Sequence, residues 1–205
     1  MPRTPQAQAA RDAAGSGRPA TLAAMFQARS FKHCKACGGA VKYLVPADDN
    51  RERAVCTVCA NVHYENPLNV VGTLPVWGDQ VLLCRRNIEP RHGFWTLPAG
   101  FMELGETAAE GALRETIEEA GARVEMQGLY TVLNVVRVGQ LHMFYRARLL
   151  DTDFAPGPET IEAQLFDEAD VPWDELAFRT VRETLKRYFD DRKRGQFDVH
   201  CADVG

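Results

Sequence analysis

The alternation of apolar and polar residues in the middle of the chain predicts a β-sheet. The run LNVVGTLPVW is followed by the turn residues Gly78 and Asp79 and then by QVLLCRR, which is the pattern of a β-hairpin. Farther along, LYTVLNVV and LHMFYRARLL alternate in the same way and are joined through residues 137–140. These runs predict four strands, and the apolar VLLC segment indicates that Cys84 is buried in one of them.

A helix is predicted between the second and third of these strands, over residues 107–121. Thr107 and Glu110 form a capping box, and Gly121 supplies the stop. At about 100° per residue, small and apolar side chains gather on one side of this helix, which we expect to face the core. That side consists of Ala109, Leu113, Thr116, Ile117 and Ala120. The nearly opposite side consists of Glu115, Glu118 and Glu119.

The glutamate side of this helix has two interpretations. A helix face rich in Glu can simply be solvated. Alternatively, since carboxylates at i, i+3 and i+4 repel one another by roughly a few tenths of a kcal/mol per pair, a divalent cation would convert the repulsion into a binding site. Mg²⁺ prefers oxygen ligands and is commonly completed by the phosphates of a substrate. The second interpretation therefore implies a phosphate-bearing substrate.

The chain beyond the last predicted strand reads as a loop and then a helix. Residues 154–178 are rich in Pro and Gly near their start and predict a loop that contains Glu159 and Glu162. From about residue 174 to 193, Lys and Arg occupy the final turns of a helical pattern. Its apolar positions are Leu176, Val181, Leu185, Tyr188 and Phe189. We expect this helix to cover the sheet.

Four cysteines ahead of the sheet have the spacing of a zinc site. Cys34 and Cys37 are separated from Cys56 and Cys59 by eighteen residues, and each pair has the form Cys-x2-Cys. Two such knuckles supply four thiolates, which close a tetrahedral shell and indicate structural zinc in a ribbon over residues 30–64. The alternative is a pair of disulfides in a secreted domain, which the lack of an apolar secretion signal disfavours.

Composition and charge describe an ordinary globular protein, since 45% of the 205 residues are hydrophobic and 25% are charged. The formal net charge of −4 argues against broad electrostatic attraction to nucleic acid. No apolar run approaches the roughly 18 residues of a membrane span, and we expect a cytoplasmic protein. Residues 1–29 are typical of a disordered tail or of a transit peptide, and we favour the tail. Met25 is an alternative to Met1 as the translation start.

The segment around the glutamate helix resembles the Nudix box, Gly-x5-Glu-x7-Arg-Glu-U-x-Glu-Glu-x-Gly-U, in which U is a bulky aliphatic residue. The fixed positions of the box fall on Gly100, Glu106, Arg114, Glu115, Glu118, Glu119 and Gly121. Thr116 and Ala122 depart from it at the two aliphatic positions, which concern packing more than chemistry. For residues 65–195 the resemblance implies an α/β fold, the Nudix α/β/α sandwich with a mixed sheet, followed by a C-terminal tail over residues 196–205.

The same resemblance implies a metal site. Mg²⁺ or Mn²⁺ would be bound by the carbonyl of Ala99 and by three glutamates, which are Glu115, Glu118 and Glu119. Arg114 would orient the glutamates by pairing with Glu106, because a guanidinium grips a carboxylate in a fixed fork. Gly100 and Gly121 would be structural.

Two further roles follow from the resemblance. The proton of an attacking water would be taken by Glu162 or by a glutamate of the box, for which Glu118 is the candidate. For Glu162 the alternative is an ordinary surface carboxylate. Arg85 and Arg86, at the end of a strand, are candidates for contact with substrate phosphates, and the alternative is a solvated strand end.

The substrate is predicted from residues outside the box. The signature that follows the box in NADH pyrophosphatases is missing, and Arg137 stands where ADP-ribose pyrophosphatases usually have Pro. The combination of ribbon and box is most similar to zinc-ribbon Nudix hydrolases that cleave FAD to FMN and AMP, which makes FAD the favoured substrate, with ADP-ribose or NADH as alternatives. An alternative of another class is a non-catalytic ligand sensor or nucleic-acid-binding regulator. For the ribbon itself, dimerisation and a wall of the substrate pocket are both open roles.

Overall fold

The computed structural model describes residues 31–205, and the predicted N-terminal tail with Met25 lies outside the described residues. The first elements form a small antiparallel sheet of three strands, β1 (Val41–Leu44), β2 (Arg53–Cys56) and β3 (Val62–His63), in that order. This sheet lies within the segment that contains the four cysteines of the predicted ribbon.

The second sheet is mixed and is flanked by two helices. Its strands are β4 (Leu68–Trp77), β5 (Gln80–Arg86), β6 (Trp95–Thr96), β7 (Ala99–Phe101), β8 (Val124–Val135), β9 (Gln140–Leu149), β10 (Thr160–Phe166) and β11 (His200–Asp203). The spatial order is β10-β5-β4-β9-β8-β11, with β6 paired to β5 and β7 paired to β4. The pairs β4–β9 and β8–β11 are parallel, and the other pairs are antiparallel. The helices are α1 (Ala108–Ala120) and α2 (Arg179–Arg194).

Both faces of this sheet are covered. Along β5, Val81 and Leu83 belong to a core cluster that includes apolar side chains of α2, whereas Leu82 and Cys84 belong to a second cluster that includes Ala120 of α1. Successive side chains of a strand point to opposite faces, so the continuous apolar run of β5 marks a strand that is buried on both sides. The predicted α/β/α sandwich and the burial of Cys84 are confirmed. Within residues 31–205, neither helix combines the length and apolar character needed to cross a membrane.

The structure differs from the sequence expectations in two C-terminal segments. Residues 160–166, expected in a loop, form strand β10 at one edge of the sheet. Residues 200–203, assigned to a tail, form strand β11, which pairs with β8 at the other edge. The Pro and Gly residues just before β10 led to the prediction of a loop there. Strand β11 has only four residues, which are too few to show an alternating pattern.

A buried carboxylate ties β11 to helix α2. Asp191 is fully buried and accepts hydrogen bonds from the hydroxyl of Tyr130 at 2.9 Å and from Nε2 of His200 at 2.7 Å. Arg194 also pairs with it. Burial alone would raise the pKa of Asp191, but the hydrogen bonds from His200, Arg194 and Tyr130 together lower it.

Asp191→Ala is expected to lower the free energy of unfolding by about 3 kcal/mol, because it removes one partner of a buried, hydrogen-bonded charge pair. Urea unfolding followed by far-UV circular dichroism measures the change. Asp190→Ala is the matched control, since the neighbouring Asp190 is exposed, and it should change the free energy by no more than about 0.5 kcal/mol. Equal effects of the two substitutions would contradict the assigned role of Asp191.

Candidate active site on helix α1

Helix α1 begins and ends at the predicted residues. The side chain of Thr107 accepts a hydrogen bond from the backbone N–H of Glu110, and the Glu110 carboxylate accepts one from the N–H of Thr107. Gly121 ends the helix in the left-handed conformation with φ of 61°. A Cβ at this position would also lie 2.4 Å from the carbonyl oxygen of Ala155, so the position requires glycine on two grounds.

The side of α1 that faces the sheet is only partly the side predicted from periodicity, since Thr116 and Ala120 are fully buried as expected. Ile117, expected in the core, is 52% exposed, whereas Glu119, expected on the opposite side, is only 8% exposed. The small buried residues Gly111 and Ala112 allow the helix to approach β4 closely, and they turn Glu119 inward. The helix therefore carries an acidic residue into its packed face.

Thr116, which departs from the aliphatic pattern of the box, is satisfied in this interface. Its hydroxyl donates to the carbonyl oxygen of Ala112 at 2.7 Å and lies 2.6 Å from the hydroxyl of Thr73 on β4. Gly111 is equally constrained, because a Cβ there would lie 2.5 Å from Oε1 of Glu106. Neither Thr73 nor Gly111 was predicted from the sequence, and for Gly111 the available signal was the adjacent pair Gly111 and Ala112 in the middle of an amphipathic helix.

Strand β7 lies directly against the glutamates. The backbone N–H of Ala99 donates to Oε2 of Glu119 at 2.9 Å. A Cβ at Gly100 would lie 2.3 Å from Oε1 of Glu115, so only glycine leaves room for that carboxylate. The fold thus brings Ala99, Gly100, Glu115 and Glu119 together.

Arg114 connects most of the remaining residues of the box. Its Nε and Nη2 donate to the two carboxylate oxygens of Glu106 at 3.0 and 2.9 Å, which is the expected fork. Its Nη1 donates to Glu115 at 2.7 Å and to Glu118 at 3.1 Å, and Nη2 also donates to the carbonyl oxygen of Phe101 at 3.2 Å. One guanidinium therefore fixes three carboxylates and the end of β7.

The carboxylates of this cluster differ in electrostatic environment. Burial raises the pKa of Glu119 to about 7, although the N–H of Ala99 opposes the shift, and burial also raises the pKa of Glu115. In contrast, hydrogen bonds from Arg114 lower the pKa of Glu106 to about 2. Burial therefore disfavours the charged forms of Glu119 and, in spite of Arg114, of Glu115, and an additional cation would stabilise both charged forms.

The two arginines at the end of β5 have different surroundings. Arg85 is part-exposed, donates to the carbonyl oxygen of Gly93 at 2.9 Å and to Oε1 of Glu162 at 3.0 Å. Arg86 is only 8% exposed, and its Nε donates to the carbonyl oxygen of Pro90. Within residues 31–205, the guanidinium of Arg86 forms no ion pair. Of the two arginines, Arg86 is therefore the buried one, and its guanidinium has no carboxylate partner among the described residues.

The glutamates of the segment 154–166 also separate. Glu162 lies on β10, not in a loop, and its carboxylate pairs with Arg85. Glu159 precedes the strand, and its backbone carbonyl accepts a hydrogen bond from Asn87. The negative charge of Glu159 contributes to the raised pKa values of Glu115 and Glu119. The charge of Glu159 therefore acts on the acidic cluster, although Glu162 was the glutamate predicted for the site.

A comparison of the sequence with known protein families identifies the domain that carries this site. The sequence profile described as the NUDIX domain matches residues 67–189. The chain belongs to the NUDIX domain family. A zinc-ribbon profile described as Nudix N-terminal matches residues 32–65, directly ahead of the NUDIX domain. The cluster on α1 is thus the Nudix box of a recognised NUDIX domain.

Two curated proteins and one solved structure illustrate what this NUDIX chain is similar to. The chain is 38% identical over 112 residues to an NAD-capped RNA hydrolase NudC of Photobacterium profundum, covering 54% of this chain and 39% of that protein. It is 31% identical over 119 residues to an ADP-ribose pyrophosphatase of Methanocaldococcus jannaschii, covering 56% and 69%. A crystal structure of a NUDIX hydrolase from Nitrosomonas europaea matches with a TM-score of 0.82 and 47% identity, over 85% of this chain and 99% of that one. The chain spans about two fifths of the length of its NudC relatives.

The four cysteines ahead of the NUDIX domain form a compact cluster. Their sulfur atoms all lie within 4.8 Å of one another, and the separations from Cys37 to Cys56 and to Cys59 are 3.5 and 3.4 Å. Four sulfurs at about 2.3 Å from a tetrahedral zinc ion would be about 3.8 Å apart. Backbone hydrogen bonds from Cys59 and Val58 lower the pKa of Cys56 to about 6. The donor set and its spacing fit zinc.

Proposed function

We propose that this chain is a divalent-metal-dependent pyrophosphohydrolase that cleaves the diphosphate bond of a nucleoside diphosphate derivative. The observation that carries the proposal is the placement of Glu119, which is buried beside the backbone of Ala99 and forms no ion pair among residues 31–205, next to the partly buried Glu115 beside Gly100, whose one cationic partner is Arg114. Such oxygen donors suit Mg²⁺ or Mn²⁺ completed by substrate phosphates. The relatives named above support the reaction class.

The metal ligands proposed are the carboxylates of Glu115, Glu118 and Glu119 and the carbonyl of Ala99. When bound, the metal would neutralise diphosphate charge and lower the pKa of an attacking water. Arg114 holds the carboxylates of Glu115 and Glu118 in place while its fork remains on Glu106. Since Glu118 is the most exposed of the three, it is the ligand with the weakest positioning by the protein.

The diphosphate itself would be bound by Arg86. Its guanidinium stacks on the ring of Phe178 at 5.2 Å and has no carboxylate partner within residues 31–205, although Glu119 and Glu159 raise its pKa against the lowering by burial. A buried guanidinium in this state gains strongly from an anion. Arg85, already paired with Glu162, would orient the strand end beside it.

Glu159 is our candidate for the group that accepts the proton, beside the sequence candidates Glu162 and Glu118. The carboxylate of Glu162 already accepts from Arg85, whereas Glu159 forms no ion pair among residues 31–205 and its charge raises the pKa of Glu119. Glu159→Gln is expected to lower kcat by about 10²- to 10⁴-fold, the usual contribution of a general base. Glu162→Gln is the matched control and should lower kcat by less than about tenfold. Initial rates under saturating Mg²⁺ give kcat for both variants. If Glu162→Gln causes the larger loss of kcat, the role belongs to Glu162.

For the substrate, we propose a derivative of adenosine diphosphate. The sequence resemblance favours FAD, which would give FMN and AMP, whereas the names of the relatives point to ADP-ribose and to the NAD-type cap of RNA. All of these compounds share an adenosine joined to a second group through a 5′-diphosphate. The shared moiety, and not the second group, is what the site is expected to recognise.

A substrate panel tests the proposal. FAD, ADP-ribose, NADH and a 5′-NAD-capped oligonucleotide are incubated with the purified chain and Mg²⁺, and mononucleotide release is measured by chromatography, with Glu119→Gln as control. Release of AMP from FAD, ADP-ribose or NADH, or of nicotinamide mononucleotide from the capped oligonucleotide, lost in the variant, supports hydrolysis. FMN together with AMP identifies FAD. Tight binding of ADP-ribose without turnover of any compound would instead establish the ligand-sensor function.

A further inference from the structure

His63 contacts the cysteine cluster without belonging to the spacing pattern that predicts it. The residue ends strand β3 and is only 9% exposed, and its Nε2 lies 3.3 Å from Sγ of Cys34. Its ring packs edge-on against Phe31, with centroids 5.1 Å apart and an interplanar angle of 89°. The imidazole is therefore fixed in one orientation, with a ring nitrogen aimed at sulfur.

The two Cys-x2-Cys knuckles differ in the number of backbone N–H groups that donate to their first cysteine. Both Cys34 and Cys56 are buried, at 4% and 3% exposure. Cys56 accepts two backbone amides, from Val58 and from Cys59, each at 3.4 Å. Cys34 accepts one, from Ala36 at 3.3 Å, among the residues described. Nε2 of His63 occupies the position of the second donor.

We propose that His63 is a positioning residue for the metal of the ribbon. A metal-bound thiolate carries no hydrogen and can only accept, so the hydrogen of the imidazole resides on Nε2 and is donated to Cys34. Four thiolates around Zn²⁺ carry a net charge of −2, and each donated hydrogen bond stabilises that charge and orients the sulfur. His63 is not itself a ligand, since the group of atoms within 4.8 Å of one another comprises the four sulfurs alone.

Zinc retention in the full chain tests this role without any measurement of hydrolysis. Zinc transfer to the chelator 4-(2-pyridylazo)resorcinol is followed for the wild type, His63→Leu and His63→Gln. Loss of an outer partner typically weakens metal binding by about 10- to 100-fold, and His63→Leu should release zinc faster by a factor in that range. His63→Gln restores an N–H donor and should release zinc more slowly than His63→Leu. His33→Leu, at an exposed histidine of the same ribbon, should match the wild type.

Cobalt substitution separates the proposed role from direct ligation. The visible spectrum of the Co²⁺-loaded chain should be that of a tetrathiolate site in both the wild type and His63→Leu, with the sulfur-to-cobalt charge-transfer band shifted in the variant. A wild-type spectrum of three sulfurs and one nitrogen would make His63 a ligand and overturn the proposal. If His63→Leu changes neither the rate of zinc release nor the charge-transfer band, the contact between His63 and Cys34 is packing alone and the proposal is wrong. If His63→Leu does not fold, His63→Asn, which is too short to reach Cys34, takes its place with the same expected outcomes.

Discussion

Glu119→Gln is expected to reduce turnover by about 10²- to 10³-fold and, at the same time, to stabilise the fold. The loss of turnover follows because the substitution removes the charge of a proposed metal ligand, and metal stabilisation of the developing charge contributes several kcal/mol, of which each 1.4 kcal/mol is about tenfold in rate. The amide oxygen can still accept from the N–H of Ala99, so the local backbone contact is retained.

The gain in stability follows from the raised pKa of Glu119, which burial moves from 4.5 to about 7. A carboxyl group that ionises less readily in the folded state favours folding at low pH. This contribution is lost as the pH rises from the unfolded pKa through 7, where ionised Glu119 destabilises the fold by up to about 3 kcal/mol. Gln cannot ionise, so the variant escapes this loss.

Thermal melting in buffer without added divalent cations measures the effect. The Tm of Glu119→Gln should exceed that of the wild type by several degrees at pH 8 and by much less at pH 5, since about 1 kcal/mol corresponds to roughly 2–4 °C for a chain of this size. Glu118→Gln, at an exposed side chain, is the matched control and should melt close to the wild type at both values. A lower Tm for Glu119→Gln at pH 8 would contradict both the burial argument and the assignment of a cation to this cluster.

Arg114→Lys is expected to lower kcat by about 10²-fold and to raise the Mg²⁺ concentration needed for half-maximal rate. Lysine keeps the positive charge, but a single ammonium cannot form the fork on Glu106 while also donating to Glu115, Glu118 and the carbonyl of Phe101. The carboxylates would therefore lose their fixed orientation, and misplacement by about 1 Å is enough for a 10²-fold loss.

Arg148→Lys provides the control for the same chemical change. Arg148 pairs with Glu125 at the surface, where both side chains are more than half exposed, and exposed pairs contribute only about 0–1 kcal/mol. Its kcat and its Mg²⁺ dependence should equal those of the wild type. If Arg114→Lys also behaves like the wild type, Arg114 contributes charge alone and the positioning role assigned to its fork is wrong.

The parts of the fold and site that the sequence predicted are those with strong local signals. The capping box and Gly121 define the bounds of α1 by hydrogen bonds within one turn, and the pairing of Arg114 with Glu106 follows from the box. Strands β8 and β9 were also predicted, because apolar and polar residues alternate along much of their sequences.

The parts that the sequence did not predict depend on contacts between distant segments. Periodicity placed Glu119 opposite the core because it cannot weigh the close approach allowed by Gly111 and Ala112 against the cost of burying an acid. Strand β11 exists through parallel pairing with β8 and through the buried carboxylate of Asp191, neither of which its four residues encode. The choice between Glu159 and Glu162 depends on strand register, which places Glu162 opposite Arg85.

The contact between the end of α1 and the segment that precedes Glu159 makes these two parts of the site move as one body. The N–H groups of Ala155 and Gly157 donate to carbonyl oxygens at the end of α1, and a Cβ at Gly157 would lie 2.0 Å from the carbonyl oxygen of Glu118. The end of α1 and the segment 155–157 are therefore in direct backbone-to-backbone contact. The amide hydrogens of Ala155 and Gly157 should therefore exchange with solvent more slowly than those of their exposed neighbours in the same segment.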